Sequence, residues 1–508
     1  MKAFLKLLFS RVGMVSLGIL LQLTVLFASL WWFRDYAPAI NIVSAVISWL
    51  LVLYVLSQTG NPAYKTAWII LILGFPIFGL TLYLFFGGSR LSKRLRRKMG
   101  GIDKTLEATM RQDETVMDAL QWHDPGAAVQ ARYLSNTVHC PVYQNTATEY
   151  FPSGEAFFAQ VFASLEQAEK SVYLEYFIVE EGEIWGRILE ILTRKAAQGV
   201  DVRLIYDDFG CIRRLPSDYQ RTLAERGIEA RAFNRFIPIL NSRLNNRDHR
   251  KFLLIDGREG FTGGVNLADE YANVGPCRFG RWKDAAIRLR GDAVWSMTVM
   301  FLSMWSYVTG TKSEARPPEQ SYLPDAVGYV QPYLDSPLDD EAVGRTVFSN
   351  MIAGARRYVW IMTPYLIIDE AMDEILTTAA KSGIDVRIIT PGIPDKPTVY
   401  EMTRANYQPL LEGGVRIFEY SPGFIHSKVF LSDDRTAAVG TVNLDFRSLY
   451  LHFEDGVWLY RAGCIREIRR DFDESFPLCR EVTGRDVEQV RFPRRLYRSL
   501  LRLLSPLM

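Results

Sequence analysis

The feature that most constrains the fold is an internal repeat. In this 508-residue chain, residues 171–178 and 199–206 resemble residues 358–365 and 383–390. Each copy has two buried-strand runs separated by an apolar segment of helical periodicity, the pattern of a βαβ unit with a parallel sheet. Residues 312–321 are polar, contain a Pro pair and predict a linker. We therefore expect a duplicated α/β unit, since one core does not hold a chain this long.

A second repeat lies inside each copy and consists of polar residues at one spacing. A histidine is followed by a lysine after two residues, an aspartate after seven, a glycine after fourteen and an asparagine after seventeen. The chain has only five histidines, so coincidence explains two such patterns poorly. The two sets are His249, Lys251, Asp256, Gly263 and Asn266, and His426, Lys428, Asp433, Gly440 and Asn443.

Each set predicts a β-hairpin with its polar groups on one face. Residues two apart on a strand point to the same side, and the motif aspartates begin turns. Folding about the middle of the turn would bring each asparagine directly across from its histidine. Lys251 would then face Gly264, and Lys428 would face Thr441, leaving room for a ligand beside these small residues. The predicted substrate-binding residues are Asn266, Asn443, Gly264 and Thr441.

These residue types suit phosphodiester chemistry. Two ammonium groups and two amides could neutralise charge on the non-bridging phosphate oxygens. One neutral histidine could attack phosphorus while the other, protonated, gives a proton to the leaving alcohol and then activates the incoming hydroxyl. We expect no metal and no other cofactor, because the sequence has no Cys, His and acid cluster at ligand spacing. The remaining histidines, His123, His139 and His452, are interpreted as structural.

At these residues the chain resembles the phospholipase D superfamily, whose signature is a twice-occurring His-x-Lys-x4-Asp followed by Gly-x-x-Asn. The resemblance covers roughly residues 130–508. It implies two α/β halves, with mixed sheets flanked by helices, meeting about a pseudo-twofold axis around one active site. It also implies a phosphohistidine intermediate, with His249 as nucleophile and His426 as general acid and base. The other catalytic motif members are Lys251, Lys428, Asp256 and Asp433, although turn chemistry favours a structural role for both aspartates.

Within this superfamily the chain is similar to bacterial cardiolipin synthases. The similarity is carried by residues 61–68, 79–88, 443–448 and 503–507, and by Glu454. It implies a membrane enzyme that transfers a phosphatidyl group from one phosphatidylglycerol to another and releases glycerol. Asp284 and Glu454 then become candidates to hold the reactive histidines in the right tautomer, the alternative being that both are surface acids.

Three uncharged runs at the start of the chain predict a membrane anchor. Val12–Phe33, Tyr36–Tyr64 and Thr66–Gly88 are each long enough to cross a hydrocarbon core of about 30 Å as a helix. We therefore predict three transmembrane helices, whereas two are usual in the family that the chain resembles. The predicted parts are a membrane anchor at 1–100, a first half at 130–312 and a second half at 320–508.

Charge predicts the orientation of this anchor. With three spans, seven bases lie on one side and four on the other, which favours a cytoplasmic catalytic portion on the inner membrane. The five widely spaced cysteines fit a reducing compartment. At the other end of the chain, residues 492–504 mix arginines with leucines and predict a helix. That helix could lie on an anionic membrane surface or pack its leucines against the catalytic domain.

Several functions remain open at this point. Bases and acids nearly balance beyond residue 90, which argues against a nuclease and against a nucleic-acid partner. A phospholipase that uses water, and a transferase that uses another headgroup alcohol, would share the same motifs. A membrane scaffold with an inactive site is a further alternative, although both motifs are intact. The expected partners are phosphatidylglycerol and other anionic membrane lipids.

Overall fold

Two mixed β-sheets, one from each repeat, form the centre of the molecule. The computed structural model describes residues 37–87, 109–235, 246–313, 316–318, 321–338 and 341–507, together with residues 20, 24, 27, 28 and 31. The helices are α1 (Ala37–Ser57), α2 (Pro62–Gly74), α3 (Pro76–Phe86), α4 (Glu114–His123), α5 (Pro125–Val138), α6 (Gly154–Glu166), α7 (Glu183–Ala197), α8 (Asp208–Cys211), α9 (Tyr219–Ala224), α10 (Val294–Thr309), α11 (Val343–Ala353), α12 (Glu370–Lys381), α13 (Pro397–Ala405), α14 (Tyr407–Glu412), α15 (Phe446–Tyr450), α16 (Ile465–Ser475), α17 (Gly484–Glu488) and α18 (Phe492–Leu504).

The first half contains the predicted βαβ unit. Its strands are β1 (Thr146–Phe151), β2 (Ser171–Tyr176), β3 (Asp201–Asp207), β4 (Glu229–Phe233), β5 (Lys251–Ile255), β6 (Glu259–Gly263), β7 (Arg281–Lys283) and β8 (Ala286–Gly291). The sheet order is β1-β8-β6-β5-β2-β3-β4. Strands β2, β3 and β4 are parallel, and β5, β6, β8 and β1 continue the sheet with antiparallel pairs. The sheet is therefore mixed, as predicted.

The second half repeats this topology and adds one edge strand. Its strands are β9 (Tyr329–Asp335), β10 (Tyr358–Met362), β11 (Leu366–Ile367), β12 (Asp385–Pro391), β13 (Arg416–Tyr420), β14 (Gly423–Ile425), β15 (Val429–Ser432), β16 (Thr436–Gly440), β17 (Leu444–Asp445), β18 (Glu454–Tyr460) and β19 (Cys479–Val482). The order β9-β18-β16-β15-β10-β12-β13-β19 matches the first sheet strand for strand up to β13. The duplication predicted from sequence is confirmed.

Apolar side chains join the two halves into one core. Helix α10 is buried along most of its length and contacts β5 of the first sheet and β9 of the second. Phe301 on this helix stacks on Tyr173 of β2, with ring centroids 4.9 Å apart. Burial of so much aromatic surface fixes the halves against each other, because apolar area removed from water dominates folding energy.

Strand exchange also connects the halves. Strand β7 of the first half pairs in parallel with β14 of the second. Reciprocally, Asp248 of the first half forms a parallel bridge with Phe453 of the second. Backbone segments of the two halves thus pair with each other at two equivalent positions, as a pseudo-twofold axis requires.

The register of both motif hairpins differs by one residue from the prediction. Ile255 pairs with Glu259, and Ser432 pairs with Thr436. Three residues therefore lie in each connection, and the first two of them have positive φ. Because an odd-numbered connection shifts the ladder by one residue, the prediction that each asparagine lies directly across from its histidine is wrong.

The second and third N-terminal apolar runs form shorter helices than predicted. Most of the first run lies outside the described residues, and the second contains α1. The run Thr66–Gly88 is not one helix: α2 ends at Gly74 and α3 begins at Pro76, whose ring removes a backbone donor and interrupts the helix. Helices α2 and α3 contact each other closely, and a Cβ at Gly79 would lie 2.3 Å from Leu71 O. Within the part of the chain that the structure describes, no helix combines the length and apolarity needed to cross a bilayer.

The C-terminal helix α18 packs on the second half and leaves an apolar face in solvent. Arg498 donates to Glu401 of α13 at 2.8 Å, and Leu501 is buried. The residues after α18 contact α2 of the N-terminal hairpin. The exposed apolar residues of α18 are Phe492, Leu496, Tyr497 and Leu500. One face of α18 therefore packs on the catalytic domain, and a membrane role for the exposed face stays a prediction.

Candidate active site

The two motif histidines begin equivalent segments and are anchored by the opposite half. His249 precedes β5 and His426 precedes β15, and each is 7% exposed. The backbone N–H of His249 donates to Phe453 O at 2.9 Å, and that of His426 donates to Lys283 O at 2.6 Å. Each ring is therefore positioned by backbone from both repeats.

The carboxylates that hold the rings are also exchanged between the halves. His249 Nδ1 lies 2.9 Å from Glu454 Oε2, and His426 Nδ1 lies 2.7 Å from Asp284 Oδ2. Both acids are fully buried, so the alternative that they are surface acids is wrong. A carboxylate on Nδ1 fixes the tautomer and leaves Nε2 for chemistry.

The two motif lysines lie beside their histidines. Lys251 Nζ donates to His249 O at 2.5 Å, and Lys428 Nζ donates to His426 O and lies 2.9 Å from His426 Nδ1. Burial lowers the pKa of Lys251 to about 8 and that of Lys428 to about 7. Lys251 also acts electrostatically on Lys428 and on His426, so the two motif sets share one site.

The two histidine and carboxylate pairs differ in where they favour a proton. Burial raises the pKa of Asp284 to about 7, against the opposing charge of Lys428. Burial alone would also raise the pKa of Glu454, but His249 and His452 hold it well below its usual range. Burial lowers the pKa of His249 to about 3 and that of His426 well below its ordinary value. Near neutral pH Glu454 therefore favours its ionised form, whereas Asp284 holds a proton much more readily.

Aromatic side chains surround the two rings differently. His426 is flanked by Tyr271 and Trp282, with ring centroids 5.5 and 5.4 Å away. His249 is flanked by Phe177 at 5.2 Å and by His452 at 5.6 Å. Trp282 and His452 occupy equivalent positions, each two residues before the exchanged carboxylate. The site is therefore pseudo-symmetric in backbone and asymmetric in chemistry.

The predicted substrate-binding residues lie near the histidines but contact mainly protein. Asn266 Oδ1 accepts from Ile178 N at 3.0 Å, and its Nδ2 donates to Tyr271 at 2.7 Å. A Cβ on Gly264 would lie 1.9 Å from Asp284 Oδ1, so Gly264 makes room for a carboxylate and not for a ligand. Thr441 Oγ1 donates to Glu454 Oε2 at 2.5 Å. A fourth residue, Asn443, is buried with no partner for Oδ1 among the described residues.

The motif aspartates lie at the far ends of the hairpins. Asp256 accepts hydrogen bonds from the backbone N–H groups of Glu169, Lys170 and Ser171 at 2.7–3.0 Å. Asp433 accepts from the N–H groups of Arg356, Arg357 and Tyr358 over the same distances. Each aspartate therefore ties a hairpin turn to the start of the neighbouring parallel strand, a structural contact.

We expect Asp256→Asn to lower the free energy of unfolding by about 2–3 kcal/mol, because the amide replaces one charged acceptor with a donor that faces N–H groups. Denaturant unfolding monitored by circular dichroism measures this loss. Asp325→Asn is the control, since that acid pairs with Arg290 on the surface and should cost under about 1 kcal/mol. Equal stability of both variants would contradict the structural role.

Two functional features escaped the sequence reasoning. Asp455, next to Glu454, is buried and accepts from Thr262 of the first half at 2.5 Å, which adds a further link between the repeats. His452 does not lie apart from the site: its Nδ1 is 3.6 Å from Glu454 Oε1. His249, His452 and Glu454 form the one group of three among the described residues that could hold a metal ion. The position of Asp455 directly after Glu454 was a signal available in the sequence. Nothing in the sequence indicated that His452 lies in the site.

Comparison with known proteins identifies the family. A family model described as cardiolipin synthase, PLD-like domain, matches residues 161–274 and 348–476, and one described as phospholipase D-nuclease N-terminal matches residues 39–88. A cardiolipin synthase of Geobacillus kaustophilus is 35% identical over 456 residues, covering 89% of this chain and 90% of the relative. The chain belongs to the cardiolipin synthase family. It is a phosphatidyltransferase of the phospholipase D type.

A further relative and a solved structure extend the comparison. A cardiolipin synthase of Geobacillus thermodenitrificans is 34% identical over 511 residues, covering 98% of this chain and 99% of the relative. Among solved structures, phosphatidylserine synthase of Haemophilus influenzae matches with a TM-score of 0.57 and 16% identity. That match covers 75% of this chain and all of the other, and supports the fold.

Proposed function

We propose that this phosphatidyltransferase moves a phosphatidyl group from one phosphatidylglycerol to another, giving cardiolipin and glycerol. The observation that carries the proposal is the exchanged pair of carboxylates, which places one buried acid on Nδ1 of each histidine and shifts the pKa values of the two acids in opposite directions. The relatives named as cardiolipin synthases supply the substrate class.

In the first half-reaction His249 is the nucleophile. Ionised Glu454 accepts the Nδ1 proton of His249 and leaves an Nε2 lone pair to attack phosphorus. Asp284 and His426 share a proton, and with Asp284 donating to Nδ1 the Nε2 proton is available for the leaving glycerol oxygen. The P–O bond breaks as the P–N bond forms, and glycerol leaves with that proton.

In the second half-reaction the same groups work in reverse. A hydroxyl of the second phosphatidylglycerol loses its proton to the His426 and Asp284 pair, and its oxygen attacks the phosphohistidine. The P–N bond breaks, which restores neutral His249 and the starting proton on the other pair. Lys251 and Lys428 neutralise charge on the phosphoryl oxygens throughout, and Asn266 and Asn443 contribute amide donors.

Assay of purified enzyme in mixed micelles tests the substrates. With phosphatidylglycerol labelled in the terminal glycerol, we expect free glycerol and cardiolipin to appear in equal amounts. Release of glycerol with phosphatidic acid alone would identify the alternative, a phospholipase D that uses water. Products that form only with another added alcohol would identify the other alternative, a transferase for a different headgroup.

The pKa values of the lysines predict an alkaline loss of activity. As pH rises through about 7 and 8, Lys428 and Lys251 lose the charges that neutralise the phosphate, so transition-state stabilisation falls. We expect kcat/KM to decrease by up to about tenfold per pH unit between pH 7 and 8, where one lysine loses its charge, and by up to about 100-fold per unit above pH 8, where both do. Enzyme returned from pH 9 to pH 7 should recover, which controls for denaturation. A flat profile up to pH 10 would contradict charged lysines as the phosphate ligands.

We also propose that the N-terminal region anchors the enzyme in the bacterial inner membrane with its catalytic halves in the cytoplasm. Exposed apolar residues on α1 and on α18 support a lipid-facing surface, because α18 and the residues after it contact α2. The arginines of α18 add attraction to anionic lipids. The multi-pass arrangement is proposed from the apolar runs, of which the third is divided into α2 and α3. The positive cluster at residues 90–98 lies outside the described residues.

Thiol labelling tests this orientation. Of the five cysteines, Cys277 is exposed. A variant that keeps only Cys277 should resist a membrane-impermeant maleimide in intact cells and react after permeabilisation. Labelling in intact cells would contradict the cytoplasmic orientation and leave the chemistry of the two histidines unaffected.

A further inference from the structure

His249, Glu454 and His452 form a group with the composition of a transition-metal site. Two imidazoles and one carboxylate are a ligand set that zinc uses in proteins, with a fourth position left open. One ligand atom from each residue lies within 4.8 Å of the others. All three side chains are largely buried, so a metal here would be shielded from bulk water.

The separation of His452 from Glu454 fits shared coordination of an ion, whereas His249 and Glu454 lie at hydrogen-bond distance. His452 Nδ1 is 3.6 Å from Glu454 Oε1, too long for a hydrogen bond. Two ligands of a tetrahedral zinc, each about 2.0–2.1 Å from the metal, lie roughly 3.4 Å apart. Glu454 Oε2 is 2.9 Å from His249 Nδ1. Small side-chain movements would therefore bring one atom of each residue onto a single ion.

Unsatisfied polar atoms point to a missing ligand at the same place. Both ring nitrogens of His452 and Oε1 of Glu454 are buried without a hydrogen-bond partner among the described residues. Orphaned buried groups of this kind are costly unless something binds them. The charge of Lys251 would repel a cation at this group. The carboxylates of Asp455 and Asp284 act on Lys251 and offset that repulsion.

Among the described residues, the equivalent position beside His426 has no such group. Trp282 stands where His452 stands in the repeat, and its ring packs against His426. His426 thus has its carboxylate, Asp284, but no third ligand at this position. The metal-binding composition belongs to the His249 side alone.

We propose that His249, His452 and Glu454 bind one zinc ion, and that bound zinc inhibits the enzyme. Zinc would take the carboxylate that orients His249 and the imidazole that attacks phosphorus. The inhibitory part rests on the proposed function, whereas the binding part does not. The site is one that the reaction does not require, so chelator should leave activity intact or raise it.

Calorimetric titration of chelator-treated enzyme with zinc chloride tests binding. It uses detergent without phospholipid and a Cys277→Ser background, since anionic lipid and an exposed thiol also bind zinc. We expect one site per chain, and His452→Asn should weaken it at least about 100-fold. His426→Ala is the matched control and should bind zinc as the parent does. Undiminished binding by the His452 variant would overturn the proposal.

X-ray absorption at the zinc edge provides a second measurement that needs no variant. Two imidazoles and an oxygen at about 2.0–2.1 Å are expected, and a spectrum without imidazole would overturn the site. Zinc should also inhibit transfer, reversibly with chelator, and inhibition of His452→Asn should need at least about 100-fold more zinc. Zinc bound at this group without inhibition would overturn the inhibitory part. Absence of any transfer activity would reject the proposed function and leave the binding result standing.

Discussion

Replacing His249 or His426 with alanine should lower the rate of phosphatidyl transfer by at least about 10³-fold. One variant loses the atom that attacks phosphorus, and the other loses the group that moves the proton. The far-ultraviolet circular dichroism spectrum should keep its native shape, whereas the unfolding midpoint should fall, because Glu454 or Asp284 is left buried without its imidazole. Initial rates with labelled phosphatidylglycerol measure the loss.

A matched control and a trapping experiment sharpen this expectation. His139→Asn changes an exposed histidine that ends α5 with positive φ, a conformation that Asn tolerates, and should keep full activity. Wild-type enzyme quenched in alkaline denaturant should carry label from the phosphatidyl group on His249, because the P–N bond of a phosphohistidine survives base and hydrolyses in acid. Label on His426 would reverse the two roles, and near-normal turnover of either alanine variant would reject the two-histidine mechanism.

Replacing the exchanged carboxylates should also cost a large factor, about 10²- to 10⁴-fold in kcat. In Glu454→Gln the amide no longer fixes the proton on Nδ1 of His249, so the wrong tautomer presents Nε2 to the substrate. In Asp284→Asn the amide cannot pass a proton to Nδ1 of His426, so Nε2 loses its acidity. Because these residues act through the histidines, KM should change much less than kcat. Steady-state kinetics over a range of phosphatidylglycerol mole fractions separate the two effects.

The control for this pair is another buried acid. Glu419→Gln removes a buried carboxylate that pairs with Arg404 and Arg480 away from the site, so it should alter stability more than turnover. The pH profile distinguishes positioning from a general loss of packing. Asp284→Asn should displace the limb set by the proton shared with His426, whereas Glu419→Gln should not. Unchanged kcat in both site variants would show that the rings are oriented without these acids.

Local sequence was sufficient to predict the secondary-structure elements and the reaction class. The apolar runs at 171–178 and 199–206 became β2 and β3, joined by α7, because alternating and periodic burial is written into consecutive residues. The spacing of histidine and lysine likewise placed both on one hairpin, since side chains two apart share a face of a strand. Turn chemistry also predicted the structural use of Asp256 and Asp433, although not the N–H groups that they bind.

The sequence-based predictions were wrong where the length of a turn, a proline or a contact between distant residues determined the structure. The hairpin register moved by one because each connection has three residues, which composition does not reveal. Gly264 proved to accommodate Asp284, a residue twenty positions later in the chain. The run after Thr66 divided at Pro76 because the proline interrupts helical hydrogen bonding even within an apolar segment.

Two α/β repeats, each with a histidine, a lysine and an asparagine suited to phosphoryl transfer, could be predicted from residue type and short spacing. The pairing of Glu454 with His249 and of Asp284 with His426 could not, since 205 and 142 residues separate the partners. The tertiary structure also decided that His452 lies beside one ring and Trp282 beside the other. Such pairings depend on how the two halves pack about their axis, and that packing is set by the buried surface of both halves together and not by any single segment.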